Sequence, residues 1–143
     1  MNAVDTNILV YAAMEKSPWH NAAIALVRGL AQGATEWAIP WPCVHEFLSV
    51  VTNPRIYRPS ATPAEAMGHV ESWLDSPSLR LLAETSSFVP VLRDVLVRAN
   101  AVGGAVHDAR IAALCIHHGV SVLYSADRDF SRFPQLRTQN PLV

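Results

Sequence analysis

Four carboxylates stand at positions from which they can share one site: Asp5, Glu46, Asp108 and Asp127. Asp5 follows the hydrophobic start Asn2-Ala3-Val4 and runs into Thr6-Asn7 and an apolar stretch. Asp127 follows the apolar run Val120–Tyr124, inside Ser125-Ala126-Asp127-Arg128-Asp129-Phe130. With both runs as strands of a parallel sheet, both acids leave the same carboxyl edge, where open α/β sheets place their chemistry. Asp108 opens the helical segment His107–His118, close to the stripe of Ile111, Leu114, Cys115 and His118, and so on its packing side. Glu46 lies off the stripe of Val44, Phe47, Leu48 and Val51, a position that periodicity assigns equally to solvent or to a cleft.

Singly, each acid has a structural explanation. Asp5 and Asp127 suit helix N-caps, and Asp108 in a first turn offsets the macrodipole by ~0.3–1 kcal/mol. A convergent set behaves differently. Two carboxylates ~4 Å apart repel by about 4 kcal/mol at an effective dielectric of 20. Such a cluster takes up protons, recruits Arg or Lys, or binds a metal. Oxygen-only ligands suit Mg²⁺ or Mn²⁺ rather than Zn²⁺. A hard cation that keeps several waters is equipment for hydrolysing a phosphodiester. An acid-nucleophile phosphatase also begins with an Asp after the first strand, but it needs a second acid two residues later, where Asn7 stands.

The elements that must position these acids are legible in outline. Strands are expected at Asn2–Val4, Trp37–Ile39, Leu79–Ala83, Val120–Tyr124 and Arg137–Gln139. Helices are expected over Asn7–Ala13, from Ser17-Pro18 to Gly33, around Val44–Val51, from Thr62-Pro63 to Ser76, over Phe88–Ala101 and over His107–His118. Pro54–Pro63 reads as a loop. This alternation predicts a three-layer α/β domain with a mainly parallel sheet. With no repeats or linkers, residues 1–143 read as one domain.

Composition narrows the function classes. Half of the 143 residues are apolar and 16% are charged, with net charge −1, which argues against a protein that coats nucleic acid by bulk charge. Cys43 and Cys115 lie far apart in apolar helical patterns, as buried free thiols do. The longest uncharged run, Ile111–Ala126, is too short to span a membrane, and no leader pattern opens the chain. The expectation is a soluble cytoplasmic protein with no membrane partner.

Val4-Asp5-Thr6-Asn7, the helix bearing Glu46, His107-Asp108-Ala109-Arg110-Ile111-Ala112 and Ser125-Ala126-Asp127-Arg128-Asp129-Phe130 together resemble the PIN domains of small VapC-type toxins from bacterial toxin–antitoxin pairs. The resemblance extends over essentially the whole chain. It implies an α/β/α sandwich and a Mg²⁺- or Mn²⁺-dependent endoribonuclease in which metal-activated water attacks the RNA phosphodiester. It implies Asp5 and Asp108 as the main metal ligands, with Glu46 and Asp127 completing the catalytic set. It also implies a homodimer and a cognate VapB-type antitoxin. Ser125 stands where this family more often has Thr, and Asp129 is an extra acid expected to brace the turn or pair with an Arg. The alternative is a non-catalytic RNA- or protein-binding module on the same scaffold.

Arg55, Tyr57 and Arg58 in the loop after the Glu46 helix combine cations with an aromatic, a pattern that holds single-stranded RNA or merely stiffens a surface loop. Arg110 and Arg128 flank two site acids and can contact phosphate or neutralise the acids at rest. The tryptophans Trp19, Trp37, Trp41 and Trp73 read as core or interface rather than stacking platforms.

Overall fold

A computed structural model describes all residues from Met1 to Val143. Strand β1 (Asn2–Val4) passes through Asp5 directly into helix α1 (Thr6–Ala13). Helix α2 (His20–Gln32), strand β2 (Trp37–Pro40), helix α3 (Trp41–Val51) and helix α4 (Pro63–Leu74) follow. Strand β3 (Leu79–Leu82), helix α5 (Phe88–Ala99), helix α6 (Ala105–His117), strand β4 (Val122–Tyr124) and strand β5 (Thr138–Gln139) complete the order, with a 3-10 turn at Arg128–Arg132.

The five strands form one sheet in the order β3-β2-β1-β4-β5, and every pairing is parallel. Register places Asn2 opposite both Trp37 and Val122, which fixes β1 at the centre. Ala3, Val4, Trp37, Ala38, Ile39 and Leu123 are all sealed from solvent. A parallel sheet covered by helices on both faces requires this unbroken apolar pattern, and the expected α/β layering is what forms.

Three boundaries depart from expectation for identifiable reasons. Ser17-Pro18 does not open α2. The Ser17 hydroxyl accepts from the Trp19 amide at 3.2 Å and its carbonyl from the His20 amide at 3.1 Å, so the helix begins only at His20. Helix α3 begins at Trp41 rather than near Val44, with no loop after β2. Pro42 sits in the first turn of α3, where its missing N–H has no intrahelical partner to lose. Helix α5 stops at Ala99 because Asn100 takes a left-handed conformation with φ of 46°, before Gly103-Gly104 is reached. The expected start of α4 holds as a capping box, with the Glu65 amide donating to Thr62 and the Thr62 amide donating to Glu65, both at 3.1 Å. No helix is long and apolar enough to cross a membrane.

Candidate active site

The strand order reverses at β1, whose neighbours are β2 on one side and β4 on the other. At the carboxyl edge of that switch point lies a cleft of about 210 Å³, lined by Asp5, Thr6, Asn7, Glu46, Asp108 and Asp127. Tyr11 and Tyr57 form part of its wall. Four segments distant in sequence thus bring all four anticipated acids to one opening.

Asp5 is 4% exposed, and its amide continues the β1–β4 ladder by donating to the Tyr124 carbonyl at 3.0 Å. Its side chain does not cap α1. Instead Oδ2 accepts from the Ser125 hydroxyl at 2.7 Å and from Asn7 Nδ2 at 3.3 Å, while Oδ1 accepts from Cys43 Sγ at 3.5 Å. Burial pushes the Asp5 carboxyl up to about 6. The bonds from Ser125, the Thr6 amide and Cys43 hold it down against that rise, and the charge of Glu46 adds to it. Cys43 and Cys115 are free and buried, and burial raises both thiols, which keeps them uncharged beside Asp5.

Ser125 is the joint between the two strand ends. Besides donating to Asp5, its Oγ accepts from the Asp127 amide at 3.0 Å and from Asn7 Nδ2 at 3.4 Å. Asn7 Oδ1 in turn accepts from the Ala126 amide at 3.1 Å. Asn7 is therefore a brace between the β1 and β4 exits, with no proton to give as a general acid. Ser125→Ala strips the buried Asp5 carboxylate of its shortest hydrogen bond and leaves the Asp127 amide without its side-chain partner. The expected cost is about 2 kcal/mol, a fall in Tm of about 4–8 °C followed by circular dichroism. An unchanged Tm contradicts this role.

Glu46 resolves the ambiguity of its position by being both exposed and cleft-facing. Its Oε2 accepts from the buried Thr6 hydroxyl at 3.1 Å, which turns the side chain toward Asp5. Asp127 does act as a cap, since its Oδ1 accepts from the Asp129 amide at 2.8 Å and opens the 3-10 turn. It also faces the cleft, so the two roles coexist.

The tightest grouping of acids is Asp108, Asp127 and Asp129, whose carboxylate oxygens lie within 4.8 Å of one another. Asp129 appears in none of the ion pairs and joins this cluster instead of pairing with an Arg. The Asp108 carboxyl is raised above its ordinary 3.8, first by burial and then by the charges of Asp127, Asp129 and Glu46, with Arg132 opposing. Arg132 was not singled out by the sequence. It reaches this field because the 3-10 turn folds the chain back within five residues of Asp127, a turn that no periodicity announces.

The anticipated cations are dispersed. Arg110 Nε donates to Glu84 Oε1 at 2.6 Å, which turns its guanidinium to the exit of β3. Arg128 is exposed and belongs to no ion pair. Arg55 and Arg58 lie on the rim beyond the acid cleft, where Arg58 Nε donates to the Pro54 carbonyl at 3.1 Å. From that loop Tyr57 alone reaches the acids, and burial followed by its neighbour Tyr11 raises its hydroxyl. None of the three ion pairs involves Asp5, Glu46, Asp108 or Asp127. No ion pair of the protein reaches these acids, the Asp5 and Asp108 carboxyls are raised, and the oxygen-only donor set fits a hard divalent cation.

Comparison with known families decides the classification. Residues 3–136 match the model of the PIN domain. The chain belongs to the PIN-domain family. This PIN domain is 34% identical over 137 residues to Ribonuclease VapC48 of Mycobacterium tuberculosis, covering 96% of this chain and 94% of that one. It is 31% identical over 142 residues to Ribonuclease VapC37 of the same organism, covering 99% and 97% of the two chains. Among solved structures, the PIN fold here is similar to VapBC2 from Rickettsia felis bound to a DNA fragment from its promoter. That match has a TM-score of 0.69 at 19% identity over 97% of each chain. It is likewise similar to VapC20 of Mycobacterium tuberculosis, described as a Sarcin-Ricin loop cleaving toxin. Here the TM-score is 0.66 at 20% identity, over 92% and 93% of the chains.

Proposed function

We propose that this PIN-domain protein is a Mg²⁺- or Mn²⁺-dependent endoribonuclease and the toxin of a toxin–antitoxin pair. The observation that carries the reading is the convergence of Asp5, Glu46, Asp108 and Asp127 on one cleft without a paired Arg or Lys. The names of the relatives, ribonucleases of the VapC type, agree with it. PIN-domain nucleases as a class use divalent metals.

Asp5 and Asp108 are the direct ligands in this reading. Glu46 and Asp127 complete the acidic site, and Asp129 adds a fifth carboxylate on the open side. Ser125, Asn7 and Cys43 fix the orientation of Asp5, and three hydrogen bonds leave its carboxylate a further lone pair for a cation. When bound, the ion supplies a lowered pKa to water and neutralises charge that develops on a phosphodiester. The protein's own contribution is positional. Ser125 and Asn7 hold Asp5, Thr6 holds Glu46, and the Asp129 amide holds Asp127. The walls at Tyr11 and Tyr57 confine the strand beside these oxygens. The neighbouring structures include VapBC complexes. By the same reading this chain forms a homodimer and is restrained by a VapB-type antitoxin, whose Arg side chains compete with the metal for the cluster.

Calorimetric titration with Mn²⁺ at neutral pH tests the reading. Saturable binding is expected for the wild type, with loss in Asp108→Asn. No heat of binding from the wild type leaves the acids as caps and overturns the assignment. The partner is tested separately. Purified toxin that is equally active with and without its cognate antitoxin contradicts the pairing.

A further inference from the structure

Beside the acid cleft lies a second, larger groove of about 490 Å³ that shares Tyr11 and Tyr57 with it. Trp19, Lys16, Arg58 and Pro59 complete its surface. We infer that this groove is a nucleobase subsite, in which an unpaired RNA base next to the cleaved phosphate stacks on the Tyr11–Trp19 pair while Lys16 and Arg58 hold the adjoining phosphates. The inference rests on the ribonuclease reading and deepens it, since it assigns one base position of the RNA to named side chains of this chain.

Of the core and interface readings left open for Trp19, its exposure excludes the core. It is 44% exposed, although an indole that large is normally tucked away. It is also held in place. The turn that carries it is closed by Ser17 N donating to Met14 O at 2.9 Å and by the Trp19 amide donating to Ser17 Oγ at 3.2 Å. Below it, His20 Nδ1 lies 2.9 Å from the Tyr11 carbonyl and ties α2 to the end of α1. The rings of Tyr11 and Trp19 sit 5.1 Å apart at 43°, so Trp19 leans on Tyr11 and keeps a face toward the groove. A fixed, exposed aromatic face is a stacking platform that carries little ordering cost on binding.

The groove's size falls within the ~300–1,000 Å³ typical of small-ligand sites, and its rim has the sign that a phosphate chain requires. Lys16 is the only lysine of the protein, and Arg58 is fixed to its own loop by the bond from Nε to the Pro54 carbonyl. Against them stands Glu15 alone, so the local balance is positive in a chain whose net charge is −1. Continuity supplies the remaining argument. A strand with its phosphate at the acids passes Tyr11 and Tyr57 before it meets Trp19, so the groove takes a base adjacent to the cut.

The test uses short single-stranded RNAs with 2-aminopurine at successive positions, bound to full-length protein in the Asp108→Asn background so that the strand stays intact. Quenching is expected to concentrate at one position beside the cleavage point mapped with wild type. Adding Trp19→Ala is expected to abolish that quenching and weaken binding about tenfold, with Trp19→Phe restoring it. In the otherwise wild-type enzyme, Trp19→Ala raises KM for RNA about tenfold with kcat within about twofold. As a variant that leaves the platform intact, Arg58→Gln weakens binding and lowers the salt slope by about one. Uniform quenching with unchanged affinity in both variants overturns the subsite, and so does a Trp19→Ala effect confined to antitoxin binding. Because cleavage by wild type is scored separately, an active enzyme with no such signature refutes the groove alone.

Discussion

Asp108→Asn is expected to lose at least a hundredfold in RNA cleavage and, in metal-free buffer, to melt higher than the wild type. Both results come from one arrangement. Asp108 shares a patch 4.8 Å across with Asp127 and Asp129, and burial together with those charges and Glu46 raises its carboxyl. A carboxylate pair at ~4 Å repels by about 4 kcal/mol at an effective dielectric of 20. Asp108 is partly open to solvent and Arg132 offsets some of the field, so most of that is screened. A net relief of ~1 kcal/mol raises Tm by about 2–4 °C. Mn²⁺ reverses the order. At a concentration a hundred times its Kd the ion stabilises the wild type by about 2.7 kcal/mol, and the variant gains little. Differential scanning calorimetry with EDTA and with Mn²⁺ reads both halves. A variant that melts below the wild type in EDTA contradicts the repulsive cluster.

Asp5 governs the second large effect, the pH dependence of stability. Its folded carboxyl is pushed up to about 6 from the ordinary 3.8. Between those values the folded state binds more protons than the unfolded chain, so stability falls as pH rises through that window. The raised Asp108 carboxyl acts in the same direction. For Asp5 the full drop is about 3 kcal/mol, since each pKa unit corresponds to about 1.4 kcal/mol. Urea unfolding from pH 4 to pH 7 in EDTA is expected to show this decline in the wild type and a much flatter profile in Asp5→Asn. The substitution has its own constant cost, because Ser125, Asn7 and Cys43 all aim donors at this side chain. That cost shifts the whole profile without giving it a slope. Parallel profiles for the two proteins contradict a desolvated Asp5.

Convergence of Asp5 and Asp127 was readable from the chain because parallel strands deliver their carboxyl ends to one edge and nothing else is needed. Asp108 was readable because a helical wheel put a charge on a packing face, where it needs a reason. Glu46 was undetermined because solvent and cleft lie at the same angle of α3. Only the Thr6 hydroxyl, 40 residues away, separates them. The Arg110–Glu84 pair was out of reach for the same cause, since it requires knowing that the exit of β3 meets the second turn of α6. For Trp19 the chain left core and interface open, and the turn closed by Ser17, which holds the indole out of the core, is not announced by composition. For Asp129 two roles stood open, bracing the turn or pairing with an Arg, and no ion pair forms because the 3-10 turn carries its carboxylate to Asp108 and Asp127.

The central claim is that these acids hold a cation and cut RNA. Cleavage of a total RNA pool by wild type and by Asp5→Asn, each with Mn²⁺ and with EDTA, tests it most directly. The account predicts defined cuts from the wild type with Mn²⁺ only, and none from Asp5→Asn under either condition. Equal cleavage by Asp5→Asn in Mn²⁺ would contradict it.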